Sequence, residues 1–166
     1  MSLIALRPAR PGDAIAIAAI WHQGWREGHL GHVPEALLAA RTEESFRQRA
    51  AQRVDDAIVA CAGQVVAGFI MVAGDEVEQV YVSSAHRGTG VAAVLLAQGE
   101  RLVRAGGYSS AWLAVVAGNA RARRFYERHA WADDGPIDYP AATVGGVAIT
   151  VPARRYAKQL DGSPLR

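Results

Sequence analysis

At 166 residues the chain has the length of one domain, 1–166, and with 51% hydrophobic residues it can bury a sizeable core. A formal charge of +2 is too small for nucleic acid to be the main partner, no apolar run reaches the length of a membrane span, and nothing resembles a cleaved secretory signal, so no membrane partner is expected and a cytoplasmic location is. Cys61 is the only cysteine, which excludes an intramolecular disulfide, and its apolar setting AIVAC fits a buried thiol.

Leu3 to Ala9 reads as a first strand, and Pro11-Gly12-Asp13 as a turn capping a helix that begins near Ala14 and supplies Ile15, Ile17, Ile20 and Trp21. From Trp21 to Pro34 the composition changes to WHQGWREGHLGHVP, with three glycines, two tryptophans and three histidines. It reads as an aromatic-rich loop interrupting the helical pattern, of the kind that lines sites, although Trp21 and Trp25 also have ordinary core spacing. His29 and His32 lack a third ligand at familiar spacing, so no metal is expected. Helices follow over Pro34–Ala40 and from Thr42, an N-cap with Glu43 and Glu44 in its first turn, to about Gln52.

The period then shortens to that of strands. Ala57–Cys61, Val65–Ala73 and Glu76–Val82 read as an antiparallel meander with turns at 62–64 and 74–75. Val91–Ala105 has helical spacing, Ser110–Val116 is a strand and Asn119–His129 a helix. Final strands are expected near Trp131–Asp133 and Gly146–Tyr156, with a Gly/Pro-containing loop over 134–145 between them and a polar tail after Lys158 that frays. The fold class is α/β (α+β), a single mixed, mostly antiparallel sheet flanked by helices.

The stretch Glu76–Leu96 joins strand, turn and helix, and its turn, Arg87-Gly88-Thr89-Gly90, has the makings of a phosphate site. The first N–H groups of a helix lack intrahelical partners and carry partial positive charge, glycines let an anion approach the main chain, and Arg87 adds a full charge. A P-loop is excluded because Val91 and Ala92 follow Gly90 where Lys and Ser or Thr would stand. A dinucleotide fingerprint fits only loosely, with Gly88, Gly90 and Ala93 and no acidic residue at ribose distance. The arginines at 121, 123 and 124 could serve the nucleotide end of a cofactor or be a solvated helix surface.

These residues resemble the GCN5-related N-acetyltransferase (GNAT) superfamily. Its acetyl-CoA loop, R/Q-x-x-G-x-G/A, is matched by Arg87, Gly90 and Ala92 after the strand Val80–Val82, and its L-x-V-x-x-x-N-x-x-A-x-x-F-Y-E segment appears as LAVVAGNARARRFYE from Leu113 to Glu127. The resemblance implies acetyl-CoA as co-substrate, with no metal, and an amine acceptor. It places the cofactor on Val80, Tyr81, Val82, Arg87, Gly88, Thr89, Gly90, Val91, Ala92, Asn119 and Tyr126, and the acceptor near Trp21, Trp25 and His29. Val80 would offer its main-chain N–H to the thioester oxygen, Val82 would bond the pantetheine arm, and Tyr126 would protonate the leaving thiolate.

An amine nucleophile with a pKa near 10.4 must lose its proton, which costs roughly 4 to 5 kcal/mol at pH 7, so a base is needed. Glu76 and Glu78 are the nearest candidates in sequence; Glu76 matches the base of some histone-type members, and an exposed edge-strand charge is the alternative for both. Core packing is the alternative for Tyr126, and helix capping is a compatible second role for Asn119. One departure is Ala130-Trp131 where the family usually has Gly-Phe. Three functions stand: a small-molecule N-acetyltransferase, which the Trp/His segment favours; a protein acetyltransferase; and a non-catalytic acyl-CoA-binding module. The apolar run Val144–Val151 is consistent with a homodimer.

Overall fold

A computed structural model describes residues 3–160. Seven strands, β1 (Ile4–Pro8), β2 (Ala57–Ala62), β3 (Val65–Ala73), β4 (Glu76–Val82), β5 (Ser110–Val116), β6 (Ala132–Ala141) and β7 (Ile149–Gln159), form one sheet in the order β1-β2-β3-β4-β5-β7-β6. Every neighbouring pair is antiparallel except β4 and β5, which run parallel. Such a pair needs a crossover, and helix α4 (Val91–Ala105) provides it. The meander β2–β3–β4 and the helix after the glycine turn lie where the sequence places them.

The sheet separates two apolar cores. On one face, α1 (Ala14–His29), α2 (Glu35–Ala40) and α3 (Glu43–Arg53) cover Val59, Phe69 and Met71; on the other, α4 and α5 (Ala120–Arg128) cover Ile70, Val77, Leu113 and Tyr156. Thr42 caps α3 as expected, its Oγ1 accepting from Ser45 N at 3.1 Å. Cys61 is buried and free.

Several expectations are corrected. Helix α1 does not break at Trp21 but continues to His29, because Trp21 and Trp25 extend its buried face while Gly24 and Gly28 let it lie against β4 and Asn119. Ile15 is 80% exposed and outside the core. Asp13 does not cap α1 with its side chain; its carboxylate instead pairs with Arg7 at 2.7 Å and with Arg10 N at 2.7 Å.

The Gly/Pro segment expected to be a loop is most of β6. Pro136 and Pro140 are tolerated because β6 is the last strand of the sheet, where a missing N–H breaks no inner ladder. The connection to β7 shrinks to 142–148, where Val144 and Val147 are exposed. Lys158–Leu160 are held in place: Lys158 pairs with Glu100 at 2.5 Å, and Leu160 is buried with its carbonyl accepting two bonds from Arg104. The remainder of the expected frayed tail, 161–166, lies outside the described residues. Arg123 is structural, bonding Tyr156 Oη, Ala117 O and Asp133, whereas Arg121 and Arg124 are exposed.

Candidate active site

Strand β4 sets the site through one bulge. Met71 faces Gln79 and Val72 faces Val77, so Glu78 has no partner on β3. An extra residue reverses the alternation of side chains and of N–H groups beyond it. Val77 therefore packs in the α4 core, while Tyr81, which would share its face on a regular strand, packs at 5.9 Å from Phe69 in the opposite core.

The same reversal aims the main chain. Ser83 N–H donates to Ala67 O on the β3 side at 2.8 Å, so Val82 and Val80 turn their N–H groups to the other edge of β4. That edge is open: β5 pairs with β4 only at Glu76 opposite Trp112, then diverges. The wedge between the two parallel strands is the mouth of a cavity of about 240 Å³.

Beyond the open end of the wedge, the glycine turn enters α4. Gly88 and Gly90 have φ of 74° and 87°, torsions that L side chains rarely adopt, and no atom lies within 4 Å of where a Cβ would sit on either. The turn closes on itself through Thr89 Oγ1, which donates to His86 O. Arg87 is paired with Glu27 of α1. An open, Cβ-free helix N-terminus with an arginine beside it suits a phosphate group.

Asn119 and Tyr126 line the cavity from the far side. Asn119 caps α5, Oδ1 accepting from Ala122 N at 3.2 Å, and its amide faces Gly28 so closely that a Cβ there would lie 2.6 Å from Nδ2. Burial pushes the Tyr126 phenol up to about 12, so it keeps its proton at neutral pH.

The two glutamates differ. Glu78 is bound at both carboxylate oxygens by Arg53, at 2.9 and 2.8 Å, and so is committed to an ion pair. Glu76 is half-buried and accepts a 2.5 Å bond from Tyr139 Oη on β6. Burial, then the neighbouring acidic groups, hold its carboxyl above the usual carboxylate range, with the Tyr139 bond opposing them. Both line the cavity.

The expected acceptor contacts divide as well. Trp25 and His29 line the cavity, stacked 4.6 Å apart, with His29 Nδ1–H donating to Trp25 O at 2.8 Å. Burial lowers His29 to about 4, so it is neutral at physiological pH. Trp21 is fully buried against Phe46 and Phe69 and does not reach the cavity; its ring is instead a platform for Arg49, 4.3 Å above it.

Among the charged and phenolic residues of the cavity, three escape sequence reasoning: Tyr139, Arg41 and Arg49. Tyr139 left a trace, since Ile137, Tyr139 and Ala141 alternate with exposed residues, but the prolines obscure it. The arginines left none.

Comparison with solved structures gives the same fold. The chain is similar to a GCN5-related N-acetyltransferase of Rhodopseudomonas palustris, with a TM-score of 0.73, 23% identity and 96% of this chain and 98% of that one covered. It is similar to the PaiA N-acetyltransferase of Thermoplasma acidophilum, solved with coenzyme A, at a TM-score of 0.69, 16% identity and coverage of 95% and 99%. The YncA putative acetyltransferase of Salmonella typhimurium, solved with acetyl-CoA, aligns at 0.68 with 19% identity and coverage of 99% and 98%. Among curated proteins none matches the chain. The sequence profile of the acetyltransferase (GNAT) family matches residues 15–131, a span that includes the bulged strand, the glycine turn and the Asn119–Tyr126 helix, and the chain belongs to that family.

Proposed function

We propose that this chain is a single-domain enzyme that transfers the acetyl group of acetyl-CoA to the primary amine of a small molecule by direct attack on the thioester. The observation that carries the reading is the convergence of Val80 N–H, Glu76 and Tyr126 on one cavity of about 240 Å³, a volume suited to a small acceptor rather than an extended peptide. Coenzyme A in two relatives of the same fold supports the choice of donor.

The residues present fit that donor. Arg87 and the turn Gly88–Ala92 would hold the diphosphate, the open edge at Tyr81 and Val82 would take the pantetheine arm, and Asn119 would flank it. When bound, acetyl-CoA supplies an activated acyl group. Glu76, lifted by burial, is the better base of the two glutamates: it takes the proton from the acceptor ammonium at a carboxylate oxygen, whereas Glu78 stays paired with Arg53. Val80 N–H, turned to the open edge of β4, would donate to the acyl oxygen of the bound donor. Tyr126 Oη, protonated at neutral pH, would give its proton to the departing sulfur and recover one through solvent from the nitrogen that has added, so that the single proton released overall is the one Glu76 passes to solvent.

Calorimetry with acetyl-CoA tests the reading. We expect micromolar binding, weakened on the order of 100-fold by Arg87→Glu, because the variant loses a cation for the diphosphate and places a second carboxylate beside Glu27. A folded sample that binds no acetyl-CoA at millimolar concentration would overturn it.

A further inference from the structure

The cavity holds two guanidinium groups that no carboxylate among the described residues pairs with, Glu78 acting on Arg49 only at longer range. Arg41, at the C-terminal end of α2, is only 6% exposed, and its Nε and Nη1 are buried without a hydrogen-bond partner. Arg49 of α3 has a buried Nη1 in the same condition. Neither is in an ion pair among the described residues, although Arg53, one turn beyond Arg49, has two carboxylates. Burial lowers the pKa of both guanidinium groups; Arg49, further depressed by Arg41, lies at about 10 and is charged at neutral pH.

What the protein supplies to them is aromatic surface. Arg49 lies 4.3 Å over the ring of Trp21, and Arg41 lies 6.0 Å from the ring centre of Trp25. Cation–π contact covers the face of a guanidinium and offsets part of its desolvation, but it leaves the in-plane N–H donors free. Those donors form a planar fork that matches a carboxylate at two oxygens. A buried charge without a partner is a large cost to a fold, and a protein that carries two such groups on one cavity wall is built to have them met by a ligand.

Resting on the acetyltransferase reading, we infer that the acceptor is an amino acid: a molecule whose amine is read by Glu76 and whose carboxylate is held by Arg41 and Arg49. The cavity then carries complementary charge for both groups of a zwitterion, Glu76 with Tyr139 for the amine and the arginines beside Trp25 for the carboxylate. An amine lacking the carboxylate would leave the arginines unpaired, and discrimination against it is of the kind that buried polar groups impose.

The test uses the full chain with two matched acceptor sets that differ in the spacing of the charges. One set is leucine, leucinamide and 3-methylbutylamine; the other is 5-aminopentanoate, its amide and pentylamine. We expect kcat/KM for the carboxylate of at least one set to exceed that of its amide and amine on the order of 100-fold, and Arg41→Met or Arg49→Met to erase that ratio while acetyl-CoA affinity by calorimetry is unchanged. A structural arginine would lower all three acceptors together and leave the ratio intact. Equal or better turnover of the uncharged analogues overturns the proposal, as does a carboxylate preference that survives both substitutions.

A second readout needs no turnover and no variant. In the CoA-loaded protein the Arg41 Nε–H resonance, assigned by ¹⁵N NMR, should move on titration with leucine or 5-aminopentanoate but not with the corresponding amine. If neither carboxylate moves it at 50 mM, the acceptor assignment falls even though acetyl-CoA binds. If acetyl-CoA itself does not bind, it is the acetyltransferase reading that falls.

Discussion

At the mouth of the wedge the site is made of main chain from one continuous stretch, Glu76 to Ala92, in which a bulge, an open strand edge and two left-handed glycines follow in order. At the other end it is made of side chains drawn from α1, α2, α3, β4 and β6, residues as distant in sequence as Trp25, Arg41 and Tyr139. A backbone-built end presents N–H groups whatever side chains stand there, so it can serve one fixed ligand. A side-chain-built end can be rewritten by single substitutions, and it is where we place acceptor specificity. Substitutions at the two ends should therefore fail in different ways.

Tyr126→Phe sits where the two ends meet and should have the largest effect. Loss of the phenolic proton lowers kcat on the order of 100- to 1,000-fold, while acetyl-CoA affinity by calorimetry changes little, since the ring and its packing against Trp131 and Tyr156 remain. A variant that loses affinity and turnover in parallel would make Tyr126 a packing residue instead.

Glu76→Gln comes next, with a fall in kcat/KM of about 10- to 100-fold at pH 7. On the proposed mechanism the base must be ionised, so in the wild type kcat/KM should fall as pH drops through the raised pKa of Glu76, and in Glu76→Gln this acidic limb should disappear. Tyr139→Phe should shift that limb in a defined direction. The Tyr139 hydroxyl donates to the ionised carboxylate and so lowers its pKa; removing it should move the acidic limb to higher pH. A limb that moves to lower pH, or that persists in Glu76→Gln, would assign the base to another group.

The interface between the ends can be tested at Gly24. A Cβ there would lie 2.4 Å from Tyr81 Cδ1, and the ring is packed against Phe69 and cannot swing away freely. Gly24→Ala should therefore cost about 1 to 3 kcal/mol, seen as a Tm several degrees lower. An unchanged Tm would mean that α1 can move off β4, and that the cavity wall is softer than its packing indicates.

The same division explains what could be read from the sequence. Residues contiguous in the chain carry their own signals: short apolar runs bounded by turns for β2 to β4, glycines before a helical period at 88 to 91, and an N-cap seven residues before a tyrosine at Asn119 and Tyr126. The side-chain-built wall has no such signature, because Arg41, Arg49 and Tyr139 come to line one cavity only through tertiary packing. Local signals even misled there. Histidines and glycines in α1 suggest a loop, yet tertiary contact makes Gly24 and Gly28 the flat side of a helix. Prolines in β6 suggest a turn, and only the sheet order, which puts β6 at the edge, makes them compatible with a strand.

Ala130 gives the smallest effect and the opposite sign. It stands where the family usually has glycine, and its φ of 68° makes it the one non-glycine residue with positive φ among the described residues. The torsion is imposed from both sides: Ala130 N–H donates to Glu127 O at 3.2 Å and Trp131 N–H to Tyr126 O at 3.0 Å, ending α5 tightly enough to bury the Trp131 ring beside Tyr126. A left-handed alanine costs about 1 to 2 kcal/mol that glycine would not, and glycine returns roughly half of that through the greater freedom of its unfolded chain. Ala130→Gly should thus stabilise the protein by about 0.5 to 1 kcal/mol and raise Tm by roughly 1 to 4 °C, with turnover unchanged because no atom of the cavity is altered. A lower Tm would mean that the alanine methyl makes a contact worth more than the strain it carries.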